Sequence, residues 1–400
     1  MGSHHGAGWA YPVAMAIEIG RVRPDEYPRL YEIVAEQNDP EDVEDARATL
    51  EGAHARPDDW IVARVDGALA ALLIVVPMEA MIGETPIPAL APEIVATSPG
   101  FTGRGLQRAL FGALADAHVD RPLHLIEGIP YFYRRLGYEY AIPHPTQQVA
   151  QRPMLPDGWT VREATHDDVP RILALQAAAQ ASAGVVFSHP AHLWDWVIES
   201  PLYRVVLATD GTRWAMARGY SDGDDHWVME VAGDTDDGVL AAISGTSEGE
   251  QVRVYHRPGL EVPSLVGGTA EPSGYAYYAR VADLPAVLTM LRPAFEAALA
   301  ASSLAGWSGT FLLSQYATSL TMEVVDGRFG EVVVGGAMQA PVSQGGSGVP
   351  PDLTAHLLLG PHGAKGLAER HPDVLLGKQA EVMEVLFPPR TADVHTWVAP

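Results

Sequence analysis

A chain of 400 residues is long for one domain, and a hydrophobic fraction of 47% supplies cores for two or three. Fifty Asp and Glu against 26 Lys and Arg give a formal charge of -24, which argues against nucleic acid or an anionic membrane as partner and leaves a cation as the ligand that electrostatics would steer. With no cysteine, disulfides, thiolate nucleophiles and cysteine-ligated metals are excluded, so any acyl transfer is direct or passes through another residue type.

Residues 1–14 carry no Lys or Arg and make a poor signal peptide; they read as a tail or an expression scar before a start at Met15. No apolar run approaches the roughly 20 residues of a membrane span, and a cytoplasmic location is expected. Ile17 to Val22 reads as a strand, and Tyr27, Leu30, Tyr31 and Val34 mark one face of a first helix. The run Glu36-Gln37-Asn38-Asp39-Pro40-Glu41-Asp42 is an acidic junction before a second helix. Trp60 to Arg64 and Ala68 to Val76, separated by Asp66-Gly67, form a hairpin pattern.

The most informative stretch is Glu93 to Tyr140. Ile94, Val95 and Ala96 form a short apolar run that Pro99-Gly100 ends, and Leu106, Ala109, Leu110, Ala113, Leu114 and Ala117 then recur at helical spacing. A glycine-rich turn therefore feeds a helix N terminus, whose unpaired amides and dipole attract an anion, most readily a phosphate. Gly103 and Gly105 keep side chains clear, and Arg104 and Arg108 add positive charge. A second strand follows, then the aromatic turn Phe132-Tyr133-Arg134-Arg135-Leu136-Gly137-Tyr138.

From Trp159 a strand leads into Asp167-Asp168-Val169-Pro170-Arg171-Ile172, which echoes Asp25-Glu26-Tyr27-Pro28-Arg29-Leu30 at an offset of 142 residues and points to an internal duplication. Where the phosphate turn should recur stands Gly233-Asp234-Thr235-Asp236-Asp237-Gly238, whose three aspartates would repel a pyrophosphate. One cofactor site per chain is therefore expected. Glu271-Pro272-Ser273-Gly274 reads as a boundary, and Tyr277 opens a third unit with a long helix through Leu299 and strands near 310–313, 320–325 and 331–334. A Gly-, Ser- and Pro-rich loop at 339–351 precedes more helix and the closing Leu386-Phe387-Pro388-Pro389-Arg390.

At the turn and the aromatic block the chain resembles the GNAT superfamily of acyl-CoA-dependent N-acetyltransferases. The superfamily's Arg/Gln-x-x-Gly-x-Gly/Ala signature falls on Thr102-Gly103-Arg104-Gly105-Leu106-Gln107, with Thr102 in place of Arg or Gln and Gln107 in place of the small residue. Its Phe-Tyr-x-x-x-Gly-Phe/Tyr motif falls on Phe132 to Tyr138, about 25 residues on, as a helix and a strand require. The three-unit layout and the Leu-Phe-Pro-Pro-Arg ending are similar to the enhanced intracellular survival family. These resemblances imply an α+β chain: tandem GNAT folds with mixed, mostly antiparallel sheets flanked by helices, then a sterol-carrier-like α/β domain. The corresponding boundaries are a catalytic unit at 15–155, a degenerate one at 156–274 and the last at 275–400. They also imply acetyl-CoA as co-substrate, no metal, a small-molecule and preferably cationic amine as acceptor, and a homo-oligomer as large as a hexamer.

The chemistry requires a base for the attacking ammonium and a proton for the departing thiolate. Tyr131, Tyr133, Tyr138 and Tyr140 are equivalent on spacing alone; the resemblance selects Tyr133 as the acid. It likewise places cofactor contacts at Ile94, Val95, Ala96, Thr102, Gly103, Arg104, Gly105, Leu106, Gln107 and Arg108, with a backbone amide of Ile94 to Ala96 facing the developing oxyanion. For the base the family suggests the terminal carboxylate, here Pro400, although this tail lacks the family's terminal aromatic residue. Glu93 and Glu127 are alternatives, as are His118 and His124. No metal-ligand spacing emerges from the 15 histidines, and no Gly-x-Ser-x-Gly elbow supports a serine hydrolase. Other acyl-CoA chemistry and a non-catalytic ligand-binding module are the competing readings.

Overall fold

The structure is a computed structural model that describes residues 16–38 and 40–395. The expected N-terminal tail and Pro400 lie outside the described residues. The first unit comprises β1 (Ile17–Arg21), α1 (Tyr27–Gln37), α2 (Pro40–Glu51), β2 (Trp60–Val65), β3 (Ala68–Ile82), β4 (Thr85–Thr97), α3 (Leu106–Ala117), β5 (Leu123–Ile126) and β6 (Glu139–Pro143). Strands β1 to β4 are antiparallel neighbours, and β5 runs parallel to β4. Both faces of β3 are covered. Leu72, Ile74 and Val76 belong to one apolar cluster with Leu30, Ile33 and Val34 of α1. Ala71, Leu73 and Val75 belong to another with Leu106, Leu110, Phe111 and Leu114 of α3. The two-residue period of the strand meets the helical period on each side, and each large side chain so buried contributes about 1.5–3 kcal/mol.

The second unit repeats this plan with β7 (Gln147–Gln151), β8 (Thr160–Glu163), α4 (Val169–Gln180), β9 (Val185–Ser188), α5 (Ala191–Glu199), β10 (Tyr203–Thr209), β11 (Trp214–Asp222), β12 (Asp225–Gly233), α6 (Asp236–Gly245), β13 (Gln251–Tyr255), α7 (Val262–Val266) and β14 (Thr269–Glu271). Its sheet runs β14-β7-β13-β12-β11-β10-β8, with β12 and β13 parallel as β4 and β5 are. The sequence echo sits at the same place in each unit. A single 3-10 turn follows the first strand, at Pro24–Glu26 and His166–Asp168, and the helix starts with proline at its second position. In both, the acidic residue closing the turn accepts a backbone N–H three residues back and pairs with an arginine, Glu26 with Arg64 and Asp168 with Arg162.

The sheets interleave across the expected boundaries. Strand β7, before residue 155, lies in the second sheet beside β13, whereas β15 (Ala276–Val281), expected to open the third unit, lies in the first sheet between β5 and β6. Each sheet thus receives a strand from the chain beyond its own segment. The remainder forms α8 (Leu284–Ala300), a small sheet of β16 (Gly309–Ser314), β17 (Ser319–Val325), β18 (Arg328–Phe329), β19 (Val333–Gly335) and β20 (Ser347–Gly348), then α9 (Thr354–Leu359), α10 (Gly363–Arg370) and α11 (Ala380–Leu386). The hairpin through Asp326-Gly327 leads into β18, and β19 takes the place of the expected strand at 331–334. Helix α8 also packs on β4, so this last region backs the first sheet.

The chain then returns to the centre as β21 (Ala392–Val394), parallel to β9, which in turn pairs with β3. Buried Arg257 anchors it, donating to Asp393 Oδ1 at 2.6 Å and to the Val394 carbonyl at 3.1 Å. Among the described residues no helix is long and apolar enough to cross a membrane.

Candidate active site

The site is organised by a fault in the β3–β4 ladder. Ile74 pairs with Glu93 and Leu72 with Ala96, which leaves Ile94 and Val95 opposite one residue. This is a bulge, and Ile94 absorbs it at φ +48°. A β-branched residue in the left-handed region costs of order 1–3 kcal/mol, a strain found mostly where function needs it. Pairing between β4 and β5 covers only Ala89↔Leu123 and Leu90↔His124. Beyond Leu90 the parallel strands part, and the bulge lies on the side of the gap.

At the end of β4 the chain turns into α3 through Gly103 and Gly105, at φ +75° and +77°, with nothing within 4 Å of where a Cβ would lie on either. The turn is open, and its geometry excludes most side chains. The Ala109 amide bonds the Gly105 carbonyl, so the amides of the helix's first turn are the ones left without a carbonyl inside the helix. Arg104 and Arg108 are exposed beside them. A pyrophosphate fits this setting: accessible amides, room at both glycines and two cations. Thr102, standing where the signature has a longer polar residue, bonds back to the Pro99 carbonyl at 3.1 Å. Gln107 turns inward, and its Nε2 donates to the Ala96 carbonyl at 2.9 Å and to Thr97 Oγ1 at 2.8 Å, tying the helix to the bulged strand. Leu106 is buried under α3.

Tyr133 is 5% exposed and sits in a short 3-10 turn, with its ring against Gly128, Phe111 and Tyr278. Burial pushes its phenol up, and the nearby Glu93 charge pushes further, so the hydroxyl keeps its proton throughout the neutral range. Glu93 is itself buried at 7% exposure, and among the described residues its carboxyl group makes no hydrogen bond or ion pair. Desolvation, then the charges of Glu127 and Asp42, hold its carboxyl well above the usual carboxylate range. Glu93 is therefore near enough to Tyr133 for its charge to act on the phenol.

The structure separates the residues that spacing left equivalent. Tyr131 is exposed, whereas Tyr138 is fully buried and bonds His124 Nδ1 at 3.1 Å. Tyr140 stacks on Tyr278 and bonds its hydroxyl at 2.7 Å. His124 has its other ring nitrogen against the Arg121 carbonyl and is pushed by burial down to about 4. His118 closes the far end of α3. Glu127 pairs with His144 at 3.2 Å and contributes to the site by its charge.

One further contributor belongs to the acidic junction noted in the sequence, and two were not legible there. Asp42 of α2 reaches Glu93 electrostatically. From beyond the second unit, the Tyr275 hydroxyl accepts the Gly128 amide at 3.0 Å and donates to the Gly128 carbonyl, while Tyr278 accepts the Tyr131 amide. These two residues hold the loop that carries Tyr133. A Tyr-Ala-Tyr-Tyr run at 275–278 is the one local signal for such a strand, and its destination is not encoded locally.

Residues 18–141 match the family model described as an acetyltransferase (GNAT) domain. No curated protein matches the chain. Among solved structures, the chain is similar to a GCN5-related N-acetyltransferase from Kribbella flavida, at 18% identity over 95% of this chain and 99% of that one with a TM-score of 0.67. It is similar to a second from Anabaena variabilis, at 14% identity over 95% and 99% with a TM-score of 0.68. The similarity extends to Eis1 from Mycobacterium abscessus, of the enhanced intracellular survival family, at 16% identity over 95% and 100% with a TM-score of 0.61. At these identities the likeness is one of fold. Residues 18–141 are therefore a GNAT acetyltransferase domain, and over nearly its whole length the chain has the fold of the GCN5-related N-acetyltransferases.

Proposed function

We propose that this protein is an N-acetyltransferase that moves an acetyl group from acetyl-CoA directly to a primary amine, and that the acceptor is a small or medium-sized cation. The observation that carries this reading is that Glu93, buried, raised in pKa and without a bonding partner among the described residues, acts by its charge on the buried Tyr133, which keeps its proton. Acetyl-CoA supplies the activated thioester. Gly103 to Arg108 hold its pyrophosphate, and an amide of Ile94, Val95 or Ala96 faces the charge that develops on the carbonyl oxygen. Glu93 removes the proton from the ammonium so that the nitrogen lone pair can form the new C–N bond. As the C–S bond breaks, Tyr133 donates its proton to the sulfur, the surplus proton on the newly bonded nitrogen passes to the Tyr133 oxygen, and the Glu93 proton returns to solvent. A raised pKa brings the carboxylate nearer that of an ammonium, which improves it as a base. Glu93, Glu127 and Asp42 together favour a cationic acceptor.

The Pro400 carboxylate stays a competing base, tested by a variant that ends at His395. The units at 15–155, 156–274 and 275–400, the sterol-carrier-like character of the last, homo-oligomerisation and a cytoplasmic location complete the reading.

Saturating acetyl-CoA should stabilise the full chain, by about 2.7 kcal/mol at 100 times the dissociation constant. Tyr133→Phe should keep that stabilisation and lower acetyl transfer to an amine library, scored by mass spectrometry, about 100-fold. No thermal shift removes the cofactor site; unchanged turnover in the variant removes the acid.

A further inference from the structure

His54, in the loop after α2, His166, in the 3-10 turn before α4, and Glu199, the last residue of α5, converge at the junction of the first two units. His54 Nε2 lies 3.3 Å and His166 Nε2 3.1 Å from the same oxygen, Glu199 Oε1, and all three ligand atoms lie within 4.8 Å of one another. The imidazole rings are 5.2 Å apart. The other nitrogen of His166 is taken: Nδ1 lies 2.8 Å from Asp195 Oδ1, one turn earlier on α5. Asp195 thus holds one edge of the His166 ring and leaves Nε2 directed at the Glu199 oxygen, at which His54 Nε2 is also directed. One divalent ion can take all three ligands at once.

We propose that His54, His166 and Glu199 bind a late first-row divalent cation of the zinc type, with Asp195 as the carboxylate that orients His166. Zinc bonds of about 2.0–2.2 Å in a tetrahedral arrangement separate neighbouring ligand atoms by about 3.3–3.5 Å, close to the spacing already present. Two imidazoles and a carboxylate select such an ion over magnesium, and a carboxylate behind a ligating histidine is the usual way its tautomer is fixed. The three ligands are partly exposed, which leaves the fourth position to water. Sequence spacing could not show the site, because His54 precedes His166 by 112 residues. The ion would fasten the end of α2, and with it the helix that carries Asp42, to the second unit.

The test uses the full chain with His4→Ala and His5→Ala, so that the N-terminal histidine pair cannot contribute. After dialysis against a chelator, calorimetric titration with Zn2+ should give one equivalent per chain and a raised melting temperature, with no rise from Mg2+. His166→Ala should abolish binding, and His54→Ala should weaken it at least 10-fold. Asp195→Asn should weaken it about 10- to 100-fold, while His192→Ala, on the same helix outside the cluster, leaves it unchanged. Each variant's melting temperature without zinc reports on folding separately. Absence of saturable binding, or undiminished binding by either the His54→Ala or the His166→Ala variant, overturns the proposal.

Discussion

Glu93 in β4 and Glu230 in β12 each lie beside a register shift in the hairpin that precedes their unit's parallel strand, and both are buried. Glu93 has no bonding partner among the described residues. Glu230 is paired with Arg218 at 2.7 Å, with His395 at 3.3 Å and with His189 at 3.6 Å. Burial pushes both carboxyl groups up; for Glu230 the charges of Arg218, His395 and His189 outweigh it and hold the group well below the usual range. The turns that follow differ in the same sense. Around Gly103 and Gly105 there is open space, whereas a Cβ at Gly233 would lie 2.7 Å from Ala215 Cβ and one at Gly238 2.7 Å from the Trp159 ring. Thr235 caps α6 through the Gly238 amide, and Asp234 accepts the Trp214 amide at 2.8 Å. One copy keeps its carboxylate and helix terminus uncommitted; the other has spent both on its own stability. The cavity of about 550 Å³ beside Glu230 is correspondingly lined by groups that anchor β21, among them Arg257, Asp393 and His395.

Three substitutions probe this contrast, in decreasing order of expected effect. Glu93→Gln should lower acetyl transfer by about 100- to 10,000-fold and at the same time stabilise the fold at neutral pH. The sign follows from linkage. A carboxyl group whose folded pKa is raised stabilises the protein below its unfolded pKa, near 4.3, and that contribution is lost as pH rises through the folded value. The variant does not suffer this loss, so its advantage in urea denaturation should grow with pH and vanish below about pH 4. A variant that is both inactive and less stable at pH 7 would mean that Glu93 is a structural residue, like Glu230.

Arg218→Met should do the opposite. It strands Glu230 in the interior and should cost about 3–5 kcal/mol by denaturant titration, with much of the loss recovered when Glu230→Leu is added. Additive losses in the double variant would show that the pair is not a unit. Thr235→Ala should cost about 1 kcal/mol through the lost cap and leave acetyl-CoA binding untouched. Weakened cofactor binding in this variant would place a working phosphate turn in the second unit.

What the sequence revealed is what is encoded within a few residues. The Asp25 and Asp167 segments show as an echo because each builds its turn and helix start from its own side chains. Gly103 and Gly105 are visible because only glycine tolerates their backbone there. The bulge at Ile94 is not visible, since a register shift is a relation between two strands and Ile94-Val95 reads as ordinary β sequence. Tyr133 differs from Tyr131 and Tyr138 only in what surrounds it, and its surroundings include Glu93, 40 residues earlier, and Tyr278, far later. The destination of strand β15 was hidden for the same reason: its apolar, aromatic pattern announces a strand and says nothing about which sheet receives it.

The insertion of β15 has a consequence for the order of events during synthesis. Gly128 and Tyr275, which clasp the loop bearing Tyr133, are 147 residues apart. At about 5–20 residues per second, the ribosome delivers the second partner roughly 7–30 s after the first. Throughout that interval β5 and β6 have no strand between them, and β5 presents an unpaired edge of the kind that recruits other chains. The nascent first unit therefore carries an open sheet edge until the second has been made, and its sheet is completed by a strand from later in its own chain.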